Sequence, residues 1–440
     1  MKKTATFQFK PFSRKQTQVL TWWADNSAVK DYDGIIADGS IRSGKTLSMS
    51  LSFVLWAMST FNGQNFGMSG KTIGSFRRNV LASLKVMVKA RGYALKDSRA
   101  DNLITISKGD TENYFYIFGG KDERSQDLIQ GITLAGMLFD EVALMPQSFV
   151  NQATARCSVE GAKFWFNCNP ENPQHFFYNE WVKQHKEKRL VYLHFTMDDN
   201  LSLSERVKQR YKAMYTGVFY KRFILGLWVV ADGLCFEQFA NEPDKWLKDE
   251  AEPQINFISV GVDFGGTNSK TTFVATAIHG NFERIGVIKN YKLDGAKGTI
   301  DANRLNGEFI RFIRELQKEY KAPIKYAFCD CAETYLIAGI KNAIKSNGLG
   351  IATGDKDNDS YKGDIIGRIV CVNTLLNMDR LYILRSCGQV INAMRTAMWD
   401  AKAAEKGIDK RKDDFSTDID TMDAMEYSIS RFISRLTPLK

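Results

Sequence analysis

The chain has 440 residues, 44% hydrophobic and 25% charged, enough for about two to three globular domains. Its longest apolar runs, such as Phe53 to Met58, are too short to span a bilayer, and the start Met1-Lys2-Lys3-Thr4-Ala5-Thr6-Phe7 lacks the apolar stretch of a signal peptide, so a soluble, non-secreted protein with no membrane partner is expected. Seven cysteines without paired spacing and only four histidines argue against a disulfide framework or a structural zinc, while a net charge of +10 points to a polyanionic partner.

Near the N-terminus, Phe9-Lys10-Pro11-Phe12-Ser13-Arg14-Lys15-Gln16 can place Gln16 and an aromatic around an adenine. A short apolar strand, Gly34-Ile35-Ile36-Ala37, then leads into Gly39-Ser40-Ile41-Arg42-Ser43-Gly44-Lys45-Thr46. This has the form G-x-x-x-x-G-K-T, and a helical run to about Met58 follows it. Backbone N–H groups from Gly39 to Gly44 can cradle a phosphate chain. Lys45 adds a point charge for the terminal phosphates, and the Thr46 hydroxyl can hold Mg²⁺. The helix N-terminus supplies further unpaired donors. Arg42 either folds over the phosphates to stabilise charge in the transition state or faces solvent; the first is expected.

Hydrolysis needs an acidic partner at a neighbouring strand end. Thr133-Leu134-Ala135-Gly136-Met137-Leu138-Phe139-Asp140-Glu141 supplies one. Asp140 would hold Mg²⁺ through water, and Glu141 would orient and polarise the attacking water. The strand Lys163-Phe164-Trp165-Phe166 ends in Asn167-Cys168-Asn169-Pro170. Asn169 either senses the γ-phosphate and relays nucleotide state, or belongs to an Asn-Pro turn. Basic clusters recur at Arg77-Arg78, Lys183 to Arg189, Arg206 to Lys212 and Lys410-Arg411-Lys412. Each alone reads as a solvated face; their sum reads as affinity for a polyanion.

A polar stretch near 231–256 marks a domain boundary. Beyond it the pattern predicts strands at 257–263, 271–278 and 284–291, a helix at 300–319, a strand at 325–329 and further helices. This β-β-β-α-β-α order is that of an RNase H-like α/β layer. Asp263 and Asp330 close two of its strands, and Asp420 and Asp423 share a helix face at i,i+3. Such carboxylates can converge on two hard cations about 3.5–4 Å apart that clamp a phosphodiester. Asp263 to Lys270 also resembles the first phosphate loop of sugar kinases, but it lies far from the N-terminus and lacks a second such loop. The stretch from Asp355 to Asp359 hints at a calcium loop but has Ser360 where glycine is needed.

Together these motifs resemble the large subunit of a tailed-bacteriophage terminase, over nearly the whole chain. The resemblance rests on Gly39 to Thr46, Leu138-Phe139-Asp140-Glu141, Asn167 to Pro170, Gly226-Leu227-Trp228, Asp263, Asp330 and the Asp-Ala-x-x-Tyr around Asp423. It implies an α/β architecture: a P-loop ATPase of the ASCE type at 1–235, a linker at 236–255 and an RNase H-like nuclease at 256–440. It also implies ATP-driven translocation of double-stranded DNA into a procapsid and cutting of concatemers with Mg²⁺ or Mn²⁺. The implied partners are the portal, a small terminase subunit and further copies in a ring. The implied location is the host cytoplasm, transiently at the portal vertex and not in the mature virion. The implied nuclease set is Asp263 and Asp330, with Asp423 on a second ion. Asp420 stands where relatives often carry His, as a metal ligand or just behind one. Arg124, or else Arg77 or Arg78, is expected as the arginine acting on a neighbouring subunit. The alternatives are a helicase-like ATPase with a degenerate second domain and a C-terminal half that only binds DNA or portal.

Overall fold

β1 (Gly34–Gly39) is buried along its whole length, and its alternate side chains feed two cores. Ile35 and Ala37 join one apolar cluster and Ile36 the other, as the period-2 pleat requires. The computed structural model describes residues 10–264, 270–293, 302–330, 333–353, 364–413 and 417–437. The kinase-like loop at 265–269 and the acidic stretch at 355–359 lie outside these residues. Two compact units form: Met1–Lys212 with Val218–Val230, and Ala213–Gly217 with Ala231–Lys440.

In the first unit, β1 is joined by β2 (Asn65–Gly70), β3 (Ala94–Ser98), β4 (Leu103–Lys108), β5 (Thr111–Gly119), β6 (Gly136–Asp140), β7 (Lys163–Asn167) and β8 (Leu190–Phe195). The sheet order is β3-β4-β5-β2-β6-β7-β1-β8, with β5, β2, β6, β7, β1 and β8 parallel. Cores on both faces explain why these strands read as continuous apolar runs. One strand, β7, separates the P-loop strand β1 from the acidic strand β6. That insertion is the ASCE arrangement of a P-loop NTPase. The helix Lys45–Thr60 is largely buried and rests on a tryptophan cluster. Trp56 and Trp22 lie 4.8 and 5.0 Å from Trp165, whose indole donates to Ser52 at 3.1 Å. Aromatic pairs of this kind add about 0.5–1.5 kcal/mol each beyond burial.

The second unit carries β9 (Leu247–Lys248), β10 (Ile255–Asp263), β11 (Thr271–His279), β12 (Arg284–Leu293), β13 (Ile324–Cys329) and β14 (Leu381–Leu384), ordered β13-β10-β11-β12-β14-β9. The three meander strands β10, β11 and β12 are antiparallel, and β13 joins β10 in parallel after the helix Ala302–Glu319. This is the RNase H-like sheet. The segment 236–255, expected as a linker, carries the helix Glu237–Asn241, buries Phe236, Phe239 and Trp246, and pairs β9 with β14. The helix Ile419–Ser430 lies so close to β10 that a Cβ on Gly261 would stand 1.8 Å from the Ala424 carbonyl oxygen. The helix also meets β11, where the Thr276 and Ser428 hydroxyls lie 2.6 Å apart. Among the described residues no helix is long and apolar enough to cross a membrane.

Candidate active sites

The first site lies at the carboxyl ends of β1, β6 and β7, where open α/β sheets place their ligands. Register sets Asn167 beside both Ala37 and Asp140. Two P-loop glycines adopt left-handed backbone, Gly39 with φ 126 and Gly44 with φ 86. A Cβ on Gly39 would meet the Phe195 carbonyl oxygen at 1.9 Å, so only glycine fits. Gly44 caps the helix without a side-chain hydrogen bond, which suits an anion-binding N-terminus.

Lys45 is buried. Its Nζ donates to the Gly39 and Ser40 carbonyls at 3.0 and 2.7 Å, to Ser43 Oγ at 3.2 Å and to Asn169 Oδ1 at 3.2 Å. Burial lowers its pKa to about 8, opposed by nearby anionic groups. Thr46 Oγ1 donates to Asp140 Oδ1 at 3.1 Å, and Asn167 Nδ2 donates to the same oxygen at 2.5 Å. Burial, with the Glu141 charge behind it, raises the Asp140 carboxyl to about 7. Glu141 itself has a left-handed backbone, φ 61. A hydroxyl and a carboxylate side by side, ahead of an open helix N-terminus, fit a Mg²⁺–nucleotide.

Three expected phosphate contacts differ. The Ser40 and Ile41 N–H groups are committed to the Phe195 and Phe223 carbonyls at 2.8 and 2.9 Å, so the cradle begins beyond them. Arg42 is exposed, with its guanidinium 5.4 Å from the Tyr211 ring centre, rather than folded into the loop. Asn169 does reach the P-loop lysine, and Asn167 reaches Asp140, a contact its motif did not signal. Behind the loop, buried Asp38 accepts from Tyr192 at 3.0 Å, His194 at 2.9 Å and the Trp228 indole at 2.8 Å. Gly226-Leu227-Trp228 is therefore anchored under the P-loop strand. Gln16 packs on Gly44 and closes a capping box with Ser13.

The second site lies at the ends of β10 and β13. Asp263 closes β10, and the Asp330 N–H donates to the Val262 carbonyl at 3.0 Å, so the two aspartates sit on adjacent parallel strands. Asp420, raised in pKa by burial, accepts from the Lys270 N–H at 2.9 Å. Asp423 is engaged by two arginines. Its Oδ1 accepts from Arg368 Nη1 at 2.9 Å and from Arg411. Burial and the charges of Asp423, Asp263 and Asp330 keep the Tyr427 hydroxyl protonated; among the described residues it has no hydrogen-bond partner. Among the described residues, no three His, Cys, Asp or Glu side chains form a group that could hold a metal ion. Of the expected set, Asp423, Asp263 and Asp330 all act electrostatically on the Tyr427 hydroxyl. Nothing in the sequence signalled that Arg368 and Arg411 would intercept Asp423.

Fold and sites together define a P-loop NTPase followed by an RNase H-like unit. Residues 36–242 match the family described as terminase large subunit, T4likevirus-type, N-terminal. No curated protein matches the chain. The chain is similar to the large terminase of a thermophilic bacteriophage, at 46% identity over 97% of this chain and 99% of that one, with a TM-score of 0.86. Structures of the same phage protein in complex with ADP and with ATP-gamma-S match at 45% and 44% identity, each over 96% of this chain and 99% of that one, with TM-scores of 0.83 and 0.82. The chain belongs to the bacteriophage large terminases, a family of DNA-packaging motors.

Proposed function

We propose that the first unit hydrolyses ATP to move double-stranded DNA through the portal into a procapsid, and that the second unit cuts concatemeric DNA. The observation that carries the motor reading is the meeting of Lys45, Thr46, Asp140 and Asn169 at the carboxyl ends of β1, β6 and β7. That the similar thermophilic-phage protein is solved with ADP and ATP-gamma-S supports it. On ATP binding, Lys45 leaves its carbonyl partners for the terminal phosphates. Thr46 and, through water, Asp140 would hold Mg²⁺, which would supply positive charge to the phosphates. Glu141 orients and polarises the attacking water. Asn169, bonded to Lys45 before nucleotide arrives, loses that partner and passes the change to the segment after Pro170.

Arg124, exposed in the turn Glu123–Ile129, is the candidate for the arginine that completes a neighbouring copy's site. Arg77 is less suited, because Asp97 holds it at 2.9 Å. The ring of copies at the portal vertex, the small subunit that selects DNA, and a transient stay there from the host cytoplasm belong to the same proposal. Cutting depends on Asp263 and Asp330. The engagement of Asp423 by arginines favours a second reading, in which the second unit binds DNA or portal without cleaving.

Glu141→Gln should bind ATP yet lose turnover about 10²–10⁴-fold, measured as phosphate release; ordinary turnover would remove its role. Asp263→Ala should abolish Mg²⁺- or Mn²⁺-dependent cleavage while ATPase persists. Wild-type protein that binds duplex but never cleaves it, with either ion, decides for the second reading.

A further inference from the structure

Resting on the ATP-hydrolysing role proposed for the first unit, we infer that Trp228 is a positioning residue of the nucleotide site: with its indole fixed by the Asp38 carboxylate, the turn 223–228 holds the P-loop from behind. The hydrolysis proposed for this unit uses neither residue. Asp38 is 0% exposed and lies on β1, one residue before the P-loop begins. A buried carboxylate needs donors on both oxygens. The Tyr192 hydroxyl lies 3.0 Å from each, His194 Nδ1 lies 2.9 Å from Oδ1, and the Trp228 indole donates to Oδ2 at 2.8 Å. Burial, with the Asp38 charge behind it, keeps the Tyr192 hydroxyl protonated, so it serves as a donor. Tyr192 and His194 belong to β8, which pairs with β1 and sets His194 opposite Asp38. Trp228 belongs to no strand, so its bond to Asp38 brings an irregular segment to the P-loop strand.

That segment meets the P-loop at two further points. The Phe223 carbonyl accepts from the Ile41 N–H at 2.9 Å. Gly226, with φ 71, lies so close that a Cβ would stand 2.8 Å from the Ser40 nitrogen and 2.9 Å from the Gly39 Cα. Only glycine takes that place without displacing the loop. The Leu225 and Leu227 N–H groups donate to the Tyr220 and Lys221 carbonyls at 3.1 and 2.9 Å, which ties the turn into one piece. Leu225 and Leu227, on either side of Gly226, are exposed, so the close approach of Gly226 draws nothing from their burial. The Trp228 bond secures it instead, and hydrogen bonds to a carboxylate are among the strong ones. The Trp228 ring also stacks on Tyr178, with centres 4.8 Å apart, which fixes the plane from which the indole N–H reaches Asp38.

Trp228→Phe keeps a ring for Tyr178 and removes the indole donor. Hydrogen exchange of the nucleotide-free full chain, read residue by residue, tests the link. In Trp228→Phe the Ile41 amide should exchange about tenfold faster or more, while the Ser40 amide, tied to Phe195 on β8, stays within about threefold. Affinity for a fluorescent ADP analogue should fall by about three- to tenfold. Tyr192→Phe takes a donor from the same carboxylate but leaves the turn attached; it should change the Ile41 amide and ADP affinity by no more than about twofold. Equal effects of the two variants, an unchanged Ile41 amide in Trp228→Phe, or a faster one with full ADP affinity would overturn the inference and leave the nucleotide site standing. Wild-type protein that binds neither ADP nor ATP-gamma-S would remove the role of the first unit and this inference with it. Should Trp228→Phe not fold, Gly226→Ala pushes the same turn off the loop. Faster Ile41 exchange with weaker ADP binding then supports the inference, and no change in either contradicts it.

Discussion

Glu141 holds a left-handed backbone between the end of β6 and the turn Val142–Leu144. For a non-glycine residue that conformation costs roughly 1–3 kcal/mol, and it places the second carboxylate of the pair directly after a buried first one. Asp140 carries the electrostatic consequence. Burial and the Glu141 charge raise its carboxyl from 3.8 to about 7, so the nucleotide-free fold binds this proton more tightly than the unfolded chain does. The sign follows: stability falls as pH rises from near 4 to near 7, then stays low. At 1.36 kcal/mol per unit the loss is on the order of 4 kcal/mol. Asp140→Asn should therefore match wild type at pH near 4 and exceed it above pH 7, by denaturant unfolding without nucleotide. Equal stability at both would show that Asp140 is solvated. The residues of this site were legible because the P-loop and the acidic pair are local patterns with one chemistry. The arginines on Asp423 were not. Arg368 lies 55 residues from it, and Arg411 read as part of a solvated basic cluster. Nothing in a local pattern tells a buried guanidinium from an exposed one.

At the scale of elements, the contact between the helix Ile419–Ser430 and β10 decides where the aspartates sit. Gly261 makes it possible, because the Ala424 carbonyl occupies the place of a side chain. Gly261→Ala forces helix and strand apart, an overpacking cost of about 1–3 kcal/mol. The transition of the second unit in a denaturant titration should shift to lower concentration, while ATPase activity below that transition persists. An unshifted transition would mean that the helix docks loosely on the strand. The strands themselves could be read from their apolar alternation and length, and β10 to β13 fall close to the expected spans. The stretch 236–255 could not, because its polar composition imitates a linker. Its structure comes from three scattered anchors, Phe236, Phe239 and Trp246, that gain order only by burial against elements distant in sequence.

For the whole molecule, the packaging role requires a grip on duplex DNA that ignores sequence, since a motor must pass over any base pair. Such a grip would rest on phosphates, to which a net charge of +10 is suited. The structure reduces the number of cations available. Lys208 is held by Asp198 at 2.5 Å, and Arg411 is buried in the aspartate cluster. Arg206 and Arg210, one helical turn apart on the helix Glu205–Met214, are both exposed. Duplex affinity, followed by fluorescence anisotropy, should fall steeply between roughly 50 and 200 mM salt, by the same factor for unrelated sequences. Replacing Arg206 and Arg210 with glutamine should flatten the salt slope by up to about two if that face grips phosphate, whereas Lys208→Gln should change it far less. Affinity independent of salt, or confined to one duplex sequence, would contradict a sequence-blind grip and place DNA selection in this chain.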